Sequence, residues 1–278
     1  MCFFFLLNKF GNAFYTVLTI FVRVKTFSIG EAIDSMILKN NELPTMDFKK
    51  EAAIKATGFV QSRQVVGLGA GATIALMAGQ LAEKVNNGLE IKFVTASFST
   101  KQLLMQKGLA ILPLADVEKI DWYFDGCDQV DKNLQALKSG GGIHTREKLL
   151  ASMARQFIIV GDESKYVDQF TTACPLVIEF LPEALRYVPS RIQALYPTKN
   201  IELRIGNKKD GATITDNGNY LLDVLFNQWP DLKELNSTIK NITGVVETSL
   251  FYNLVNKAVI AGVDGVRILE KALKGPAQ

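Results

Sequence analysis

The stretch VVGLGAGATIALMAGQ, Val65–Gln80, joins a short apolar run to an amphipathic run through a glycine-rich turn. The first run predicts a buried strand and the second predicts a helix. Gly67, Gly69 and Gly71 allow a tight turn whose N–H groups come close to a ligand, and the N-terminus of the following helix favours an anion. This order is typical of an α/β sheet that binds a ligand at its edge.

Strands and helices alternate outward from this stretch. Apolar periodicity predicts helices in FKKEAAIKATGFV, TKQLLMQKGL and REKLLASMARQ, and short apolar runs predict strands in IKFVTAS, AILPL, DWYFDG and FIIVGD. Strands separated by helices indicate a parallel sheet, and continuous apolar runs such as FIIVG fit strands buried on both faces. We therefore expect an α/β fold with a doubly wound, mostly parallel sheet.

A different order of elements begins near Cys174. PLVIEFL, IELRIG, NYLLDVLF and VVETSLF read as strands, and EALRYVPSRIQALY and DLKELNSTIKN read as helices, with a kink expected at Pro189. A tight turn is expected at Asp216–Asn219, between the two middle strands. The order βαββαβ predicts a second, small ferredoxin-like α+β domain over residues 174–250. Residues 46–173 and 251–278 would form the larger α/β domain, whose tail adds a strand and a helix.

Composition limits the class of protein. The 278 residues carry a net charge of only +3 with no block of like charges, so we expect no nucleic-acid partner. The cysteines form no CxxC pair and the single histidine has no partner at metal-ligand spacing, which favours a reducing, cytoplasmic compartment and disfavours a zinc site. Cys127 lies between two acidic positions and reads as an inert core residue.

The apolar stretch MCFFFLLNKFGNAFYTVLTIFV precedes all of these elements. Its length suits a membrane anchor, although polar residues interrupt it. It lacks the basic leading region and the small-residue cleavage site of a signal peptide. Because the chain after Met46 reads as a complete globular protein, we favour residues 1–45 as an N-terminal extension, and we expect no membrane partner for the core.

The glycine turn has several interpretations. A Walker A loop would end in GK[ST], and this turn does not. A dinucleotide-binding turn accepts Ala72 at its third position but requires an acidic residue after the second strand, where the sequence reads VTAS. We favour a single phosphate on a small metabolite, with Thr73 adding a hydroxyl. A purely structural turn stays open as the alternative.

Chemically active groups are concentrated in DWYFDGCDQVDKNLQALKSGGGIHTREKLL, residues 121–150. Asp125 and Asp128 follow a strand end, at the edge where doubly wound sheets bind ligands. Lys138 leads into three glycines whose backbone can approach a substrate closely. Each group alone has an ordinary surface explanation. Together with the phosphate turn they favour a catalytic site.

The helix after the glycines contributes a further carboxylate. Thr145 is expected to cap this helix, which places Glu147 in its first turn, near the positive end of the helix dipole. Glu147 could equally be a capping partner. His144, the only histidine, could act as a base or pack beside the glycines, and we favour packing.

Six segments resemble the type A ribose-5-phosphate isomerase family in order and spacing, from Met46 almost to the end of the chain. They are GLGAGAT, FDGCDQ, LKSGGGIHTREK, GDESKYVD, TDNGNYLLDV and GVVETSLF. The resemblance implies an aldose–ketose isomerase that interconverts D-ribose 5-phosphate and D-ribulose 5-phosphate through an enediolate, in the non-oxidative pentose phosphate pathway. It also implies no metal or organic cofactor, a small phosphosugar as substrate, and a homodimer or homotetramer.

The resemblance also implies roles for individual residues. Glu147 would be the base that moves a proton between C1 and C2 of the sugar. Asp125 and Asp128 would bind sugar oxygens and assist ring opening. Lys138 would stabilise the enediolate oxyanion. The substrate-binding positions implied in the same way are Lys49, Ala70, Gly71, Ala72, Thr73, Gly126, Cys127, Ser139, Gly140, Gly141 and Lys165.

Departures from the family pattern leave the preferred sugar open. Gln129 stands where the family has the glutamate of DGADE, and Ser139 interrupts the usual KGGG. Ala70 and Ala72 stand where the phosphate turn usually carries hydroxyls. A related phosphosugar is therefore an alternative substrate. Two other classes are a non-catalytic sugar-phosphate sensor, which would lack a base, and a nicotinamide-dependent oxidoreductase, which the VTAS ending disfavours.

Overall fold

The computed structural model describes residues 47–206 and 210–271. The strands, in chain order, are β1 (Gln64–Leu68), β2 (Ile91–Val94), β3 (Ile120–Asp125), β4 (Gln129–Asp131), β5 (Ala136–Leu137), β6 (Ala154–Asp162), β7 (Tyr166–Val167), β8 (Leu176–Phe180), β9 (Thr198–Leu203), β10 (Tyr220–Phe226), β11 (Val245–Thr248), β12 (Leu250–Phe251), β13 (Lys257–Gly262) and β14 (Gly265–Glu270). The α-helices are α1 (Phe48–Thr57), α2 (Ala72–Asn86), α3 (Phe98–Gln106), α4 (His144–Met153), α5 (Tyr187–Leu195) and α6 (Leu232–Lys240).

The largest sheet has six strands in the order β14-β13-β6-β3-β1-β2. Neighbouring strands run parallel from β13 to β2, and only β14 is antiparallel. The chain passes from β1 to β2 on one side and then returns to place β3 on the other side of β1. The strand order therefore reverses between β1 and β3, where doubly wound sheets open a crevice for ligands.

Both faces of this sheet are buried, as the apolar runs predicted. In β6, Phe157 and Ile159 pack with residues of α4, and the alternate residues Ile158 and Val160 pack with residues of α1 and α2. Successive side chains of a strand point to opposite faces, so this alternation requires a helix layer on each side. The doubly wound, mostly parallel fold is confirmed.

The second sheet has four antiparallel strands in the order β11-β8-β10-β9. Buried residues of α5 and α6 pack with it in a separate core that includes Val188, Ile192, Leu235 and Ile239. Two helices on one face of a sheet with this chain order make the ferredoxin-like arrangement that βαββαβ predicted. The domain boundaries at residues 174 and 250 stay a prediction.

The kink expected at Pro189 assumed a helix that continues on both sides of it, but the helix begins only two residues before it. Pro189 is the third residue of α5, in the first turn, where a backbone N–H has no partner within the helix. A proline there costs no helical hydrogen bond, so α5 begins at Tyr187 and continues past it. The preceding residues form a separate 3₁₀ turn, Pro182–Ala184.

The turn at Asp216–Asn219 is present, but it does not join β9 directly to β10. Gly218 has φ +82°, and the Asn219 carbonyl accepts a hydrogen bond from the Thr215 N–H at 2.9 Å. A short antiparallel bridge between Ile205 and Ala212 comes first. The connection between the two middle strands is therefore longer than expected, because it contains this extra pairing.

Two predicted elements in the larger sheet are wrong. AILPL forms only one isolated bridge, from Ile111 to Phe93, followed by a 3₁₀ turn. The tail forms the hairpin β13–β14 where a strand and a helix were expected. Gly265, at φ +94°, closes the tight turn after β13, so GVRILE pairs back along β13 before a helix can start.

The third sheet is small, with the order β12-β5-β4-β7. VVETSLF divides at Ser249 between β11 in the second sheet and β12 in this one. The Ser249 carbonyl accepts from the Lys138 N–H at 3.0 Å. This sheet therefore fixes the start of residues 138–142, here called the glycine segment, between the two larger sheets.

No helix among the residues described is both long and apolar enough to cross a bilayer. The N-terminal extension proposed for residues 1–45 lies outside the described residues.

Candidate active site

The carboxyl ends of β1 and β3 meet where the strand order reverses. The glycine turn follows β1, and the Gly69 N–H donates to the carbonyl of Phe124 in β3 at 2.8 Å. A cavity of about 390 Å³ opens beside them. It is lined by Lys49, Ala70, Gly71, Ala72, Thr73, Gly126, Cys127, Asp128, Lys138, Gly140, Gly141, Glu147, Val160, Gly161, Asp162 and Lys165.

Asp125, the last residue of β3, is fully buried beneath this cavity wall. Its Oδ1 accepts from the N–H groups of Ala70 at 3.1 Å and Gly126 at 2.8 Å. Its Oδ2 accepts from the Tyr123 hydroxyl at 2.5 Å. The carboxylate thus joins the glycine turn to the end of β3. Burial and the nearby Asp125 and Glu147 charges raise the pKa of Tyr123 well above its ordinary value.

Gly69 makes room for this carboxylate. A Cβ atom at Gly69 would lie 1.9 Å from the Asp125 Cγ. We expect Gly69→Ala to lower the free energy of unfolding by about 1–3 kcal/mol, because the inserted methyl forces the backbone or Asp125 to move. Thermal and denaturant unfolding of the purified variant measure this change.

The matched control is Gly79→Ala in α2, where a new Cβ meets nothing within 4 Å. It should raise the free energy of unfolding by about 0.5–1 kcal/mol, because alanine loses less backbone entropy in a helix. Equal effects of the two substitutions would contradict the packing of Gly69 against Asp125.

Lys138 is the cation of the site and is itself buried, with 8% of its surface exposed. Its Nζ lies 2.9 Å from Asp125 Oδ2 and 3.4 Å from Glu147 Oε1, and it donates to the Gly126 carbonyl at 2.6 Å. Burial opposes the charge, but the two carboxylates outweigh it and raise the pKa of Lys138. The ammonium therefore stays protonated between two carboxyl groups.

Glu147 lies in the first turn of α4 and is also buried. Burial and the neighbouring Asp125 charge raise its pKa to about 8, against the opposing effect of Lys138. A carboxyl group with a pKa near the working pH can both accept and return a proton. Perturbed groups of this kind, lining a cavity, are typical of catalytic sites.

Asp128 contacts the glycine segment directly. Its Oδ2 accepts from the N–H groups of Ser139 at 2.5 Å and Gly140 at 3.2 Å. The carboxylate orients this backbone and also lines the cavity, where a sugar hydroxyl could reach it.

The glycine turn supplies an anion site at the N-terminus of α2. Gly71 precedes the helix at φ +102°, a conformation that glycine adopts without strain. Ala70, Ala72 and Thr73 line the cavity with it, and helix N-terminal N–H groups favour a phosphate. Lys49 and Lys165, which carry ammonium groups, line the same cavity.

Comparison with known proteins identifies the family. The family model for Ribose 5-phosphate isomerase A (phosphoriboisomerase A) matches residues 92–265. The chain belongs to the ribose 5-phosphate isomerase A family. The ribose-5-phosphate isomerase A of Synechococcus sp. is 41% identical over 227 residues, which cover 81% of this chain and 97% of that protein. The resemblance seen in the six sequence segments is confirmed.

Solved structures of the ribose 5-phosphate isomerase A family share the fold. The enzyme from Methanocaldococcus jannaschii is 35% identical with a TM-score of 0.75, over 81% of this chain and 99% of that one. A D-ribose-5-phosphate isomerase in complex with phospho-erythronic acid is 34% identical with a TM-score of 0.76, over 81% of this chain and 98% of that one.

Two residues predicted from the ribose 5-phosphate isomerase A pattern do not line the cavity. Asp125 lies behind its wall, as described above. Ser139 is buried, and its hydroxyl donates to the Pro175 carbonyl at 2.5 Å. Three residues that sequence reasoning missed do line it: Val160, Gly161 and Asp162. The rule that ligands gather at strand ends could have found them, because they end β6.

Three neighbouring expectations need correction or refinement. Thr145 does not cap α4, since its hydroxyl donates to Glu179 of the second sheet. His144 is buried, and burial followed by the Lys148 charge lowers its pKa to about 4. It lies outside the residues that line the cavity, as packing would require. Cys127 is half-buried and lines the cavity, where a core position was expected, and burial raises its pKa to about 12, so its thiol stays neutral.

Gln129 of this ribose 5-phosphate isomerase A family member also lies outside the cavity. Its side chain donates to the Thr171 hydroxyl at 2.6 Å and accepts from the Thr171 N–H at 2.9 Å. The amide therefore secures the segment before β8. This position carries a glutamate in the family pattern, and the neutral amide here contacts Thr171 on both of its polar atoms. Among the described residues no group of three or more histidine, cysteine or acidic side chains is placed to hold a metal ion.

Proposed function

We infer that this chain is an aldose–ketose isomerase that interconverts D-ribose 5-phosphate and D-ribulose 5-phosphate, a step of the non-oxidative pentose phosphate pathway. The carrying observation is the buried Lys138 ammonium between Asp125 and Glu147, beside a cavity that the glycine turn also lines. The cavity therefore combines an acid–base group (Glu147), a cation (Lys138) and an anion site (the glycine turn). The name of the family and of its relatives indicates ribose 5-phosphate as the sugar phosphate.

The proton transfer assigns Glu147 as the base. Its carboxylate takes the proton from C2 of the open aldose, and the C–H electrons form the C1=C2 bond while the C1 carbonyl oxygen becomes an oxyanion. The O2 proton then moves to O1, the C2 carbonyl forms, and Glu147 returns its proton to C1. No electron is gained or lost overall, so one carboxyl group serves both half-steps.

Lys138 and Asp125 provide the electrostatics of this cycle. In this proposal the ammonium, held beside Asp125 and Glu147, faces the negative charge that develops on the enediolate oxygens, and a fixed buried cation stabilises such charge more than water does. Asp125 holds Lys138 in place and keeps it charged. Asp128, with Gly140 and Gly141, binds the sugar hydroxyls, and we assign ring opening to Asp128 because it lines the cavity.

The phosphate fixes the sugar from its other end. The turn at Ala70–Thr73 supplies backbone N–H groups and the Thr73 hydroxyl, and Lys49 and Lys165 supply charge. Ala70 and Ala72 carry no hydroxyl, so the phosphate is bound mainly by backbone N–H groups, the Thr73 hydroxyl and the lysines. Phospho-erythronic acid, the compound in the related structure, carries a phosphate and a carboxylate and so resembles the enediolate in charge.

The rate should depend on pH through Glu147. Burial and Asp125 raise its pKa to about 8, so protonation of Glu147 competes with its action as a base below that pH. We expect kcat/KM to rise about tenfold per pH unit below this pKa and to level off above it, since only the carboxylate accepts the C2 proton. Initial rates from pH 6.5 to 9.5 test this, and a flat profile over that interval would contradict the assignment.

The direct test of function is an assay of the purified chain with ribose 5-phosphate and no added cofactor. Formation of ribulose 5-phosphate supports the isomerase. Binding of the sugar phosphate without turnover would favour the sensor, and turnover only with a nicotinamide would favour the oxidoreductase. Arabinose 5-phosphate and glucose 6-phosphate, assayed in parallel, decide whether a related phosphosugar is preferred.

We propose further that the enzyme works in the cytoplasm as a homodimer or homotetramer. Cys127 and Cys174 are free thiols, which suits a reducing compartment. Exposed apolar side chains, Phe98, Leu149 and Val246, border a large cleft beside α4 and offer surface for association.

A further inference from the structure

Arg204, the residue after β9, reaches from the second sheet to the glycine segment of the active site. Its Nη2 donates to the Ser139 carbonyl at 2.9 Å, and its Nη1 donates to the Gly140 carbonyl at 3.4 Å. The guanidinium is itself held by both oxygens of Asp223, at 2.6 and 3.1 Å. The planar guanidinium thus connects a carboxylate on β10 to two successive carbonyls of the glycine segment.

Each of these two carbonyls shares a peptide unit with the N–H of the next residue. Holding the carbonyl therefore also fixes the direction of that N–H. In a trans peptide the N–H points away from the C=O, and the described chain has no cis peptide. In the first peptide unit the Ser139 carbonyl accepts from Arg204, and the Gly140 N–H, on the other side, donates to Asp128 at 3.2 Å. Arg204 and Asp128 hold this peptide plane from its two ends.

The second unit has one end held in the same way. The Gly140 carbonyl faces Arg204, so the Gly141 N–H points away from the guanidinium. Gly141 lines the cavity, and its N–H makes no hydrogen bond to any residue in the described part of the chain. It is therefore a donor available to a substrate oxygen.

We propose that Arg204 is a positioning residue of the isomerase, which aims the Gly141 N–H at the enediolate oxygens and holds the glycine segment against Asp128. The proposal rests on the proposed function. Glycines at 140, 141 and 142 leave this backbone many conformations, so an external clamp is needed to select one. The positive charge also polarises the two peptide units, which strengthens their N–H groups as donors.

The backbone of Arg204 is fixed well enough for this task. Its N–H donates to the Leu221 carbonyl at 2.8 Å, and its carbonyl accepts from the Thr213 N–H at 2.8 Å. The side chain is only 18% exposed, and its partner Asp223 is 29% exposed. A bidentate arginine–carboxylate pair has a defined direction, which a lysine cannot reproduce.

The test compares Arg204→Met, Arg204→Lys and the control Arg191→Met. Arg191 is exposed on α5, away from the cavity-lining residues. We expect Arg204→Met to lower kcat about 10- to 100-fold, because a small misplacement of the donor costs that much, while KM for ribose 5-phosphate stays within about threefold. Arg204→Lys should retain one carbonyl contact and lose about three- to tenfold in kcat. Arg191→Met should match the unsubstituted enzyme.

Inhibition by two anions separates positioning from general damage. Phospho-erythronic acid should bind Arg204→Met more weakly, by the same factor as kcat/KM falls, because its carboxylate resembles the enediolate in charge and would use the same N–H donor. Inorganic phosphate should bind both enzymes equally, because the glycine turn is untouched. Equal weakening of both inhibitors, or an unchanged kcat, would overturn the proposal.

Arg204→Lys decides the matter if Arg204→Met does not fold: a lower kcat with unchanged phosphate inhibition supports positioning, and an unchanged kcat overturns it. The unsubstituted enzyme is assayed first. If it does not isomerise ribose 5-phosphate, the proposed function fails, whereas an active enzyme with inert Arg204 variants contradicts only this inference.

Discussion

Glu147→Gln should reduce turnover of ribose 5-phosphate by about 10⁴-fold, the upper range for loss of a general base. The amide has the shape of the carboxyl group but cannot take the C2 proton. Binding should change little, because the phosphate turn and Lys138 remain. Initial rates give the first quantity, and isothermal titration with phospho-erythronic acid gives the second.

Isotope exchange makes this prediction sharper. In deuterated water the unsubstituted enzyme should place deuterium at C1 or C2 of the sugar, and Glu147→Gln should leave both positions protonated. Glu90→Gln, at an exposed position near Arg63, is the matched control and should keep normal rates. If Glu147→Gln turns over substrate within about tenfold of the unsubstituted enzyme, the assignment of the base is wrong.

Lys138→Met should lose both activity and stability. Without the ammonium the enediolate oxyanion has no buried cation, so we expect kcat to fall about 10²- to 10³-fold. The free energy of unfolding should fall by about 3–5 kcal/mol, because Asp125 becomes an uncompensated charge in a fully buried position. Steady-state kinetics and denaturant unfolding measure the two effects separately.

The double variant Asp125→Asn with Lys138→Met distinguishes the two effects. Asparagine keeps the acceptor for the Ala70 and Gly126 N–H groups and removes the unpaired charge. Stability should therefore recover by most of the loss, whereas kcat should stay low because the cation is still missing. Recovery of activity with stability would mean that Lys138 acts only through the fold.

The position of the groups proposed to be catalytic could be predicted from sequence for a simple physical reason. Asp125 and the glycine turn each follow a buried parallel strand, and parallel strands that alternate with helices end at one edge of the sheet. Glu147 follows a glycine run at the start of a helix. Local patterns of strand, turn and helix therefore predicted where these residues lie in the fold, whereas their catalytic roles came from the family resemblance.

The contacts that orient those groups could not be predicted in the same way. Arg204 meets Ser139 across 65 residues of chain, and no periodicity relates the two. Lys138 reaches Asp125 only because the small third sheet folds the glycine segment back toward β3. The hairpin β13–β14 was mistaken for a strand and a helix because RILEKAL suits a helix locally, and pairing with β13 overrides that preference.

Consecutive residues of α4 connect to different parts of the molecule. Glu147 faces Lys138 in the cavity, and Lys148 donates to Glu247 at 2.9 Å and to the Thr248 carbonyl at 2.6 Å on β11. Cutting the chain at the two proposed domain boundaries would therefore separate this helix from its support. An isolated fragment of residues 46–173 would keep every acidic group that we propose for the reaction and lose the contacts that align them.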